Sequence, residues 1–337
     1  MLGERKRELL RDGLVIPAHP LALAADGSYD AARQAALTDY YLDAGVGGLA
    51  VGVHTTQFEI HDPAVGLYEP VLASAAERAA QAGRDVLMIA GVLGPTANAV
   101  AEARLAADLG YDLALVATPG WGDAPESEIL DGVAAIGEVL PVFGFYLQEL
   151  AARRRFGYRF WRAYAEISSV AAIKIAPFDR YATLDVVRAV VDAGRAGGAG
   201  NDIALYTGND DNIVADLLTP LRFDGVTVRI VGGLLGQWAT WPGDAVRLHR
   251  RLRDVVAGGG PIPAELLTVG AELTDVNAAV FDVAHRFAGG IAGVNEVLRR
   301  AGVLHSARCL DPAQVLSPGQ AQELDRVTRA YPHLCSR

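Results

Sequence analysis

Lysine is nearly missing from this chain. Among 337 residues there are 30 basic ones, and only Lys6 and Lys174 are lysine; the rest are arginine. Cysteine is equally scarce. Cys309 and Cys335 both lie near the C-terminus, with no CxxC pair, which excludes a disulfide framework and a cysteine-based zinc module. Long apolar runs are absent too: no stretch reaches the roughly 18 residues that a bilayer span needs. The opening residues Met1–Glu8 carry charges of both signs and no apolar signal core, so a cytoplasmic protein without membrane contact is expected. A surplus of positive charge is also lacking. The formal charge is −10 and the pI near 5.2, which argues against a general nucleic-acid coat.

What is present is a large apolar fraction. Hydrophobic residues make up 51% of the chain and mean hydropathy is +0.20, so a substantial core can form and wholesale disorder is excluded. The length suits two domains or one large α/β barrel. Short apolar runs at Leu14–Ala18, Gly48–Val53, Asp85–Gly91, Asp112–Thr118, Pro141–Tyr146, Val170–Ala176, Ile203–Thr207 and Gly225–Val231 lack period-2 alternation. Strands buried on both faces read this way. Helical patterns alternate with them, clearest at Ala31–Ala44, Pro70–Ala82, Ala97–Leu109, Ser127–Val139, Tyr158–Ile167, Leu184–Gly194 and Ile213–Thr219. Eight strand–helix units predict a (β/α)8 TIM barrel over 1–257. Past it, Pro263–Arg286, Gly290–Ala301 and Pro318–Ala330 read as a C-terminal helical extension over 258–337.

In such a barrel the chemistry gathers at the C-terminal strand ends. Those ends offer His19, the run His54-Thr55-Thr56-Gln57, Trp121, Tyr146, Gln148, Glu149, Lys174, Tyr206, Asn209 and Asp210. Lys174 is the sharpest of them. It sits inside the apolar run Val170–Ala176, where desolvation lowers an ammonium's pKa and makes a neutral amine available. A neutral amine can attack a ketone and form a protonated Schiff base, an electron sink. The competing reading is a lysine that snorkels or pairs with a carboxylate such as Asp179.

Several blocks resemble those of the dihydrodipicolinate synthase / N-acetylneuraminate lyase family of class I aldolases. They are Pro17-Ala18-His19-Pro20 with Asp26-Gly27-Ser28-Tyr29-Asp30, Val53-His54-Thr55-Thr56-Gln57, Pro141-Val142-Phe143-Gly144-Phe145-Tyr146, Ala172-Ile173-Lys174 and Thr207-Gly208-Asn209-Asp210-Asp211. Their order on successive strands carries the resemblance, which covers roughly residues 10–300. It implies a lyase, synthase or dehydratase acting on a 2-oxo acid such as pyruvate or its adducts, through a Schiff base on Lys174. Tyr146 would relay protons. Thr55 and Thr56 would hold the substrate carboxylate, or alternatively cap a turn. The resemblance also implies a homodimer or homotetramer, with the helical tail and Trp238 and Trp241 as candidate interface elements. No cofactor and no metal are expected, although His54, Glu59 and His61 lie close in sequence.

The chain departs from the family pattern in places. Gln57-Phe58 replaces a Gly-Glu pair, Leu147 an asparagine, Ala151 an arginine, and Thr118-Pro119-Gly120-Trp121 an aromatic-rich loop. These changes point away from the lysine-biosynthetic synthase and towards a bulkier or less acidic partner substrate, possessing for instance an aldehyde. Trp121 would stack on it, or simply pack. His19 and His54 are further substrate contacts or acid–base groups, or else hydrogen-bonded structural residues. Gly208 and Gly233 would let backbone approach a ligand. Two other functions compete: a phosphate-binding isomerase using Val231-Gly232-Gly233-Leu234-Leu235-Gly236 as a cradle, and a 2-oxo-acid-binding barrel without catalysis.

Overall fold

The computed structural model describes residues 2–198 and 200–336. Eight parallel strands form the sheet: β1 (Val15–Pro17), β2 (Gly48–Val51), β3 (Leu87–Leu93), β4 (Leu113–Ala117), β5 (Val142–Leu147), β6 (Val170–Ala176), β7 (Ala204–Thr207) and β8 (Ile230–Leu235). Each pairs with its sequence neighbours except β1 with β2, and β8 pairs with β1 through Val15 and Gly233. The seam between β1 and β2 is drawn shut by an Ala18–Ala50 bridge and the 2.8 Å bond from His19 N–H to the Ala50 carbonyl. The result is the expected (β/α)8 barrel.

Side-chain alternation divides each strand between two cores. On β5, Phe143, Phe145 and Leu147 belong to the cluster inside the barrel, while Val142 and Tyr146 belong to the cluster between strands and helices. On β6, Ala172 and Ala176 are inside and Ile173 and Ile175 outside, so Lys174 lies on the inner face. Both faces are apolar, and that is why the strands show no alternation in sequence.

The surrounding helices follow the sequence pattern within a few residues. Asp30 and Asp179 cap the helices Ala31–Asp43 and Arg180–Asp192, accepting from Arg33 N–H and Ala182 N–H at 3.0 Å. The last barrel helix, Pro242–Gly258, is followed by the extension helices Glu265–Val280, Gly290–Arg300 and Gln320–Ala330. Among the described residues, no helix is long and apolar enough to cross a membrane.

Several expectations need correction. The eighth strand is not Gly225–Val231. Gly225 (φ +80°) turns a two-stranded hairpin, Leu221–Phe223 with Val226–Val228, and the barrel strand starts at Ile230. Of the proposed phosphate cradle Val231–Gly236, residues Val231–Leu235 are the strand itself, and Gly236 follows at its C-terminal end. The charged N-terminus is the helix Glu4–Asp12, which closes the bottom of the barrel. Leu2 and Leu10 join the inner core, and Lys6 Nζ donates to both Asp112 carboxylate oxygens at 2.7 and 2.8 Å. Tyr206 points to this bottom end and donates to the Leu10 carbonyl at 2.7 Å, so it is no part of the mouth. Trp238 and Trp241, considered as interface elements, are 1% and 6% exposed and pack in the core of the chain.

Candidate active site

A cavity of about 260 Å³ opens at the C-terminal ends of the strands. Lys174 enters it from β6. The residue is 7% exposed, and its ammonium lies 4.1 Å above the centre of the Phe145 ring, the residue facing it across the β5–β6 register. The neighbouring strand leaves room for the lysine stem by ending in glycine. A Cβ at Gly208 would come within 2.6 Å of Lys174 Cε and 2.7 Å of Ala176 Cβ. Asp179, the alternative partner considered for Lys174, instead caps its own helix and faces Arg155 at 3.4 Å.

The charge opposite Lys174 comes from Asp210. This carboxyl lines the same cavity, and its Oδ1 is out of solvent with no hydrogen-bond partner among the described residues. Burial lowers the Lys174 pKa to about 8, against the pull of Asp210, while burial raises Asp210 to about 7, against the pull of Lys174. The ionisation of each group is thus tied to that of the other across the cavity, without an ion-pair contact between them.

The turn that carries Asp210 is braced on both sides. Asn209 accepts from Phe178 N–H at 3.0 Å and donates to Asp216, which also receives the Thr207 hydroxyl at 2.6 Å. From the C-terminal extension, Asn277 donates to the Asp210 carbonyl at 2.6 Å and Thr274 to the Asp211 carbonyl at 2.9 Å. The same extension supplies one side of the cavity with Phe281, Arg286, Phe287 and Ile291. Its helices are therefore part of the site, which their sequence does not announce.

The loop after β2 contributes Thr55 and His54. The Thr55 hydroxyl donates to the Ala18 carbonyl at 2.7 Å, and the residue lines the cavity. His54 is open to the cavity. Its imidazole is held well below the ordinary histidine range, first by desolvation at depth and second by the Lys174 charge. Solvent reaching the ring from the cavity offsets part of the first effect. Gln57 adopts φ +72°, a left-handed geometry that explains glycine at this place in the family pattern. Its side chain compensates by accepting from Leu310 N–H at 2.6 Å.

Other residues singled out from sequence are not brought to the cavity. Tyr146 projects outward from β5, packs against Trp161 with the rings tilted, and donates its hydroxyl to the Phe156 carbonyl at 2.8 Å. Phe145, one residue earlier, has the place facing the lysine. Thr56 is fully buried behind the loop, donating to the His19 carbonyl at 2.6 Å and accepting from Gly52 and Val53 N–H at 3.0 Å. It ties β2 to β1. His19 is also fully buried, with Pro20 O and Thr38 Oγ1 each 2.9 Å from a ring nitrogen, and desolvation lowers its pKa to about 4. Trp121 packs between glycines and donates to Thr96 Oγ1 at 3.2 Å. A Cβ at Gly233 would strike Trp238 at 2.6 Å on the outer face; Gly236 is the glycine of β8's end that lines the cavity. His61 turns to Glu102 and the Gly52 carbonyl, each at 2.9 Å, and no cluster able to hold a metal occurs among the described residues. Arg154 reaches the Ala124 carbonyl and lies over Phe156, away from the cavity.

No protein-family model matches the chain, and no curated protein matches it. Solved structures do. Dihydrodipicolinate synthase from Oceanobacillus iheyensis superposes with a TM-score of 0.76 at 15% identity, over 97% of this chain and 99% of that one. YagE, a prophage protein of the dihydrodipicolinic acid synthase family from E. coli K12 solved with pyruvate, gives 0.74 at 19% identity, over 94% and 97%. CdNal from Clostridium difficile, solved with mannosamine, gives 0.73 at 16% identity, over 95% and 99%. The chain has the barrel-plus-helices fold of the dihydrodipicolinate synthase / N-acetylneuraminate lyase structures along nearly its whole length. The likeness spans the extension as well as the barrel.

Proposed function

We propose that the protein is a Schiff-base lyase of the dihydrodipicolinate synthase / N-acetylneuraminate lyase family, acting on a 2-oxo acid such as pyruvate or its adducts. The observation that carries this reading is Lys174: a buried lysine without an ion-pair partner in contact among the described residues, at a strand end, in a cavity of a size for a small acid. Its neutral amine attacks the 2-oxo carbon and expels water, leaving a protonated imine. The imine accepts electrons from bonds to the neighbouring carbon, a C–H bond or the carbon–carbon bond beyond it, which permits aldol cleavage, condensation or dehydration. Thr55 and the Gly208 and Gly236 backbone are the neutral surfaces against which the acid would lie, and Arg286 and Lys174 supply positive charge. An aldehyde is the natural partner in the carbon–carbon reactions. Assembly into a homodimer or homotetramer belongs to the same proposal and is read by sedimentation.

The test is borohydride reduction in the presence of a panel of 2-oxo acids, followed by mass spectrometry of the chain. An adduct on Lys174 supports the reading. No adduct with any acid, or full activity in Lys174→Ala, removes it. One observation favours a second reading. With Tyr146 turned outward, the phenol that would relay protons is not in the cavity, as expected of a barrel that binds 2-oxo acids without turning them over. Binding without borohydride trapping would favour that alternative.

A further inference from the structure

Imine formation moves several protons, and the ring under Lys174 is Phe145, which has none to give. The other groups facing the lysine are few. Asp210 comes from the turn after β7, His54 from the loop after β2 and Arg286 from the extension; Asp211 lies next to Asp210 but turns to the Arg180 side. Arg286 holds its protons at all working pH values. His54 opens to the cavity with its pKa lowered by desolvation first and the lysine charge second, so it holds a transferred proton poorly near neutrality. Asp210 is the remaining candidate. Its Oδ1 has no partner, while its backbone is clamped by Asn277 and its neighbour Asn209 by Phe178 and Asp216. A carboxyl held by its main chain and by the Gln237 N–H, with Oδ1 left free, is built to exchange a proton.

We infer that Asp210 is the acid–base residue of the Lys174 reaction, serving where the sequence pattern led one to expect a tyrosine. This rests on the Schiff-base reading above and extends it. Asp210 begins as a carboxylate and takes a proton from the Lys174 ammonium. The free amine forms the C–N bond as the carbonyl π bond breaks, and the new alkoxide takes the proton from Asp210. A proton of the resulting N–H2 cation then returns to the carboxylate. Asp210 next protonates the carbinolamine hydroxyl, which leaves as water while the nitrogen lone pair closes the C=N bond. Ammonium and ketone have become protonated imine and water, and Asp210 is again a carboxylate.

The experiment follows the rate, not only the yield, of borohydride-trapped adduct with pyruvate and 2-oxobutyrate. Asp210→Asn should slow trapping about 10²–10⁴-fold and flatten its pH dependence around neutrality, while the lysine remains the site of the adduct. Adding Phe145→Tyr to Asp210→Asn should restore part of the rate by placing a phenol over Lys174. If the asparagine variant does not fold, Asp210→Ala with added formate is read instead, and a rate that climbs with formate supports the role. An Asp210→Asn protein that traps as fast as wild type with the same pH profile overturns the inference alone. So does an alanine variant indifferent to formate. A wild-type protein that traps nothing overturns the Schiff-base reading and the inference together.

Discussion

Keeping Lys174 and Asp210 charged inside one cavity should cost the fold stability at neutral pH, and the cost has a pH signature. Asp210 is raised from 3.8 to about 7, so the native chain holds a proton that the unfolded chain has released. Stability therefore falls as pH rises from about 4 to 7. Lys174 is lowered from 10.5 to about 8, so above that point the unfolded chain binds the extra proton. Stability then rises from about pH 8 to 10.5. The two effects leave a trough between them. Replacing the pair with neutral side chains of similar shape, Lys174→Met with Asp210→Asn, removes both desolvation costs and the attraction that partly offsets them. The double variant should gain roughly 1–4 kcal/mol in the trough, about 2 °C of melting temperature per kcal/mol for a large domain. The assay is thermal unfolding by circular dichroism at about pH 5, 7.5 and 9.5. The gain should be largest at the middle value. A gain that is flat with pH, or a variant less stable than wild type near neutrality, would refute the claim that this is a buried, strained pair retained for use.

Other substitutions separate the cavity from its walls. Gly208→Val puts a branched side chain where even a Cβ would lie 2.6 Å from Lys174 Cε. It should destabilise by about 1–3 kcal/mol and slow adduct trapping at least tenfold, a drop larger than the loss of folded protein. Tyr146→Phe loses only the 2.8 Å bond to the Phe156 carbonyl. It should cost about 1 kcal/mol in urea titration and leave the trapping rate within a few-fold of wild type; a collapse of the rate would show that the hydroxyl reaches the cavity after all. Trp121→Ala should cost about 3–5 kcal/mol through lost packing against Gly94 and Gly132. Its folded fraction should trap pyruvate at the wild-type rate.

The fold was legible because parallel strands and amphipathic helices leave opposite patterns, and each strand–helix unit repeats them. The eighth strand was not placed correctly, since Val226–Val228 in a surface hairpin and Ile230–Leu235 in the barrel are both apolar runs on either side of a single arginine. Hydropathy alone does not rank them. The same lack of contrast hid the orientation of β5. Phe143, Gly144, Phe145, Tyr146 and Leu147 are all suited to burial, so the residues fix no inner face. The register does: Phe145 pairs with Lys174, and Tyr146 then must point outward. Lys174 was legible because a charge in an apolar run is rare and costly. Asp210 was visible at a strand end but not distinguished from Asn209 and Asp211 beside it, because the distinction is made by contacts from distant parts of the chain. Asn277, Phe281, Arg286 and Phe287 reach the site only by tertiary packing, and no local pattern in the extension marks them.

The scarcity of lysine makes the central claim unusually direct to test. Lys6 is tied to Asp112 at the bottom of the barrel, far along the strands from the cavity at whose other end Lys174 stands. Borohydride reduction with pyruvate and related 2-oxo acids, followed by peptide mapping, should place a single reduced adduct on the peptide containing Lys174 and none on that containing Lys6. An adduct on Lys6, or no adduct from any 2-oxo acid under conditions where the chain is folded, would contradict the account.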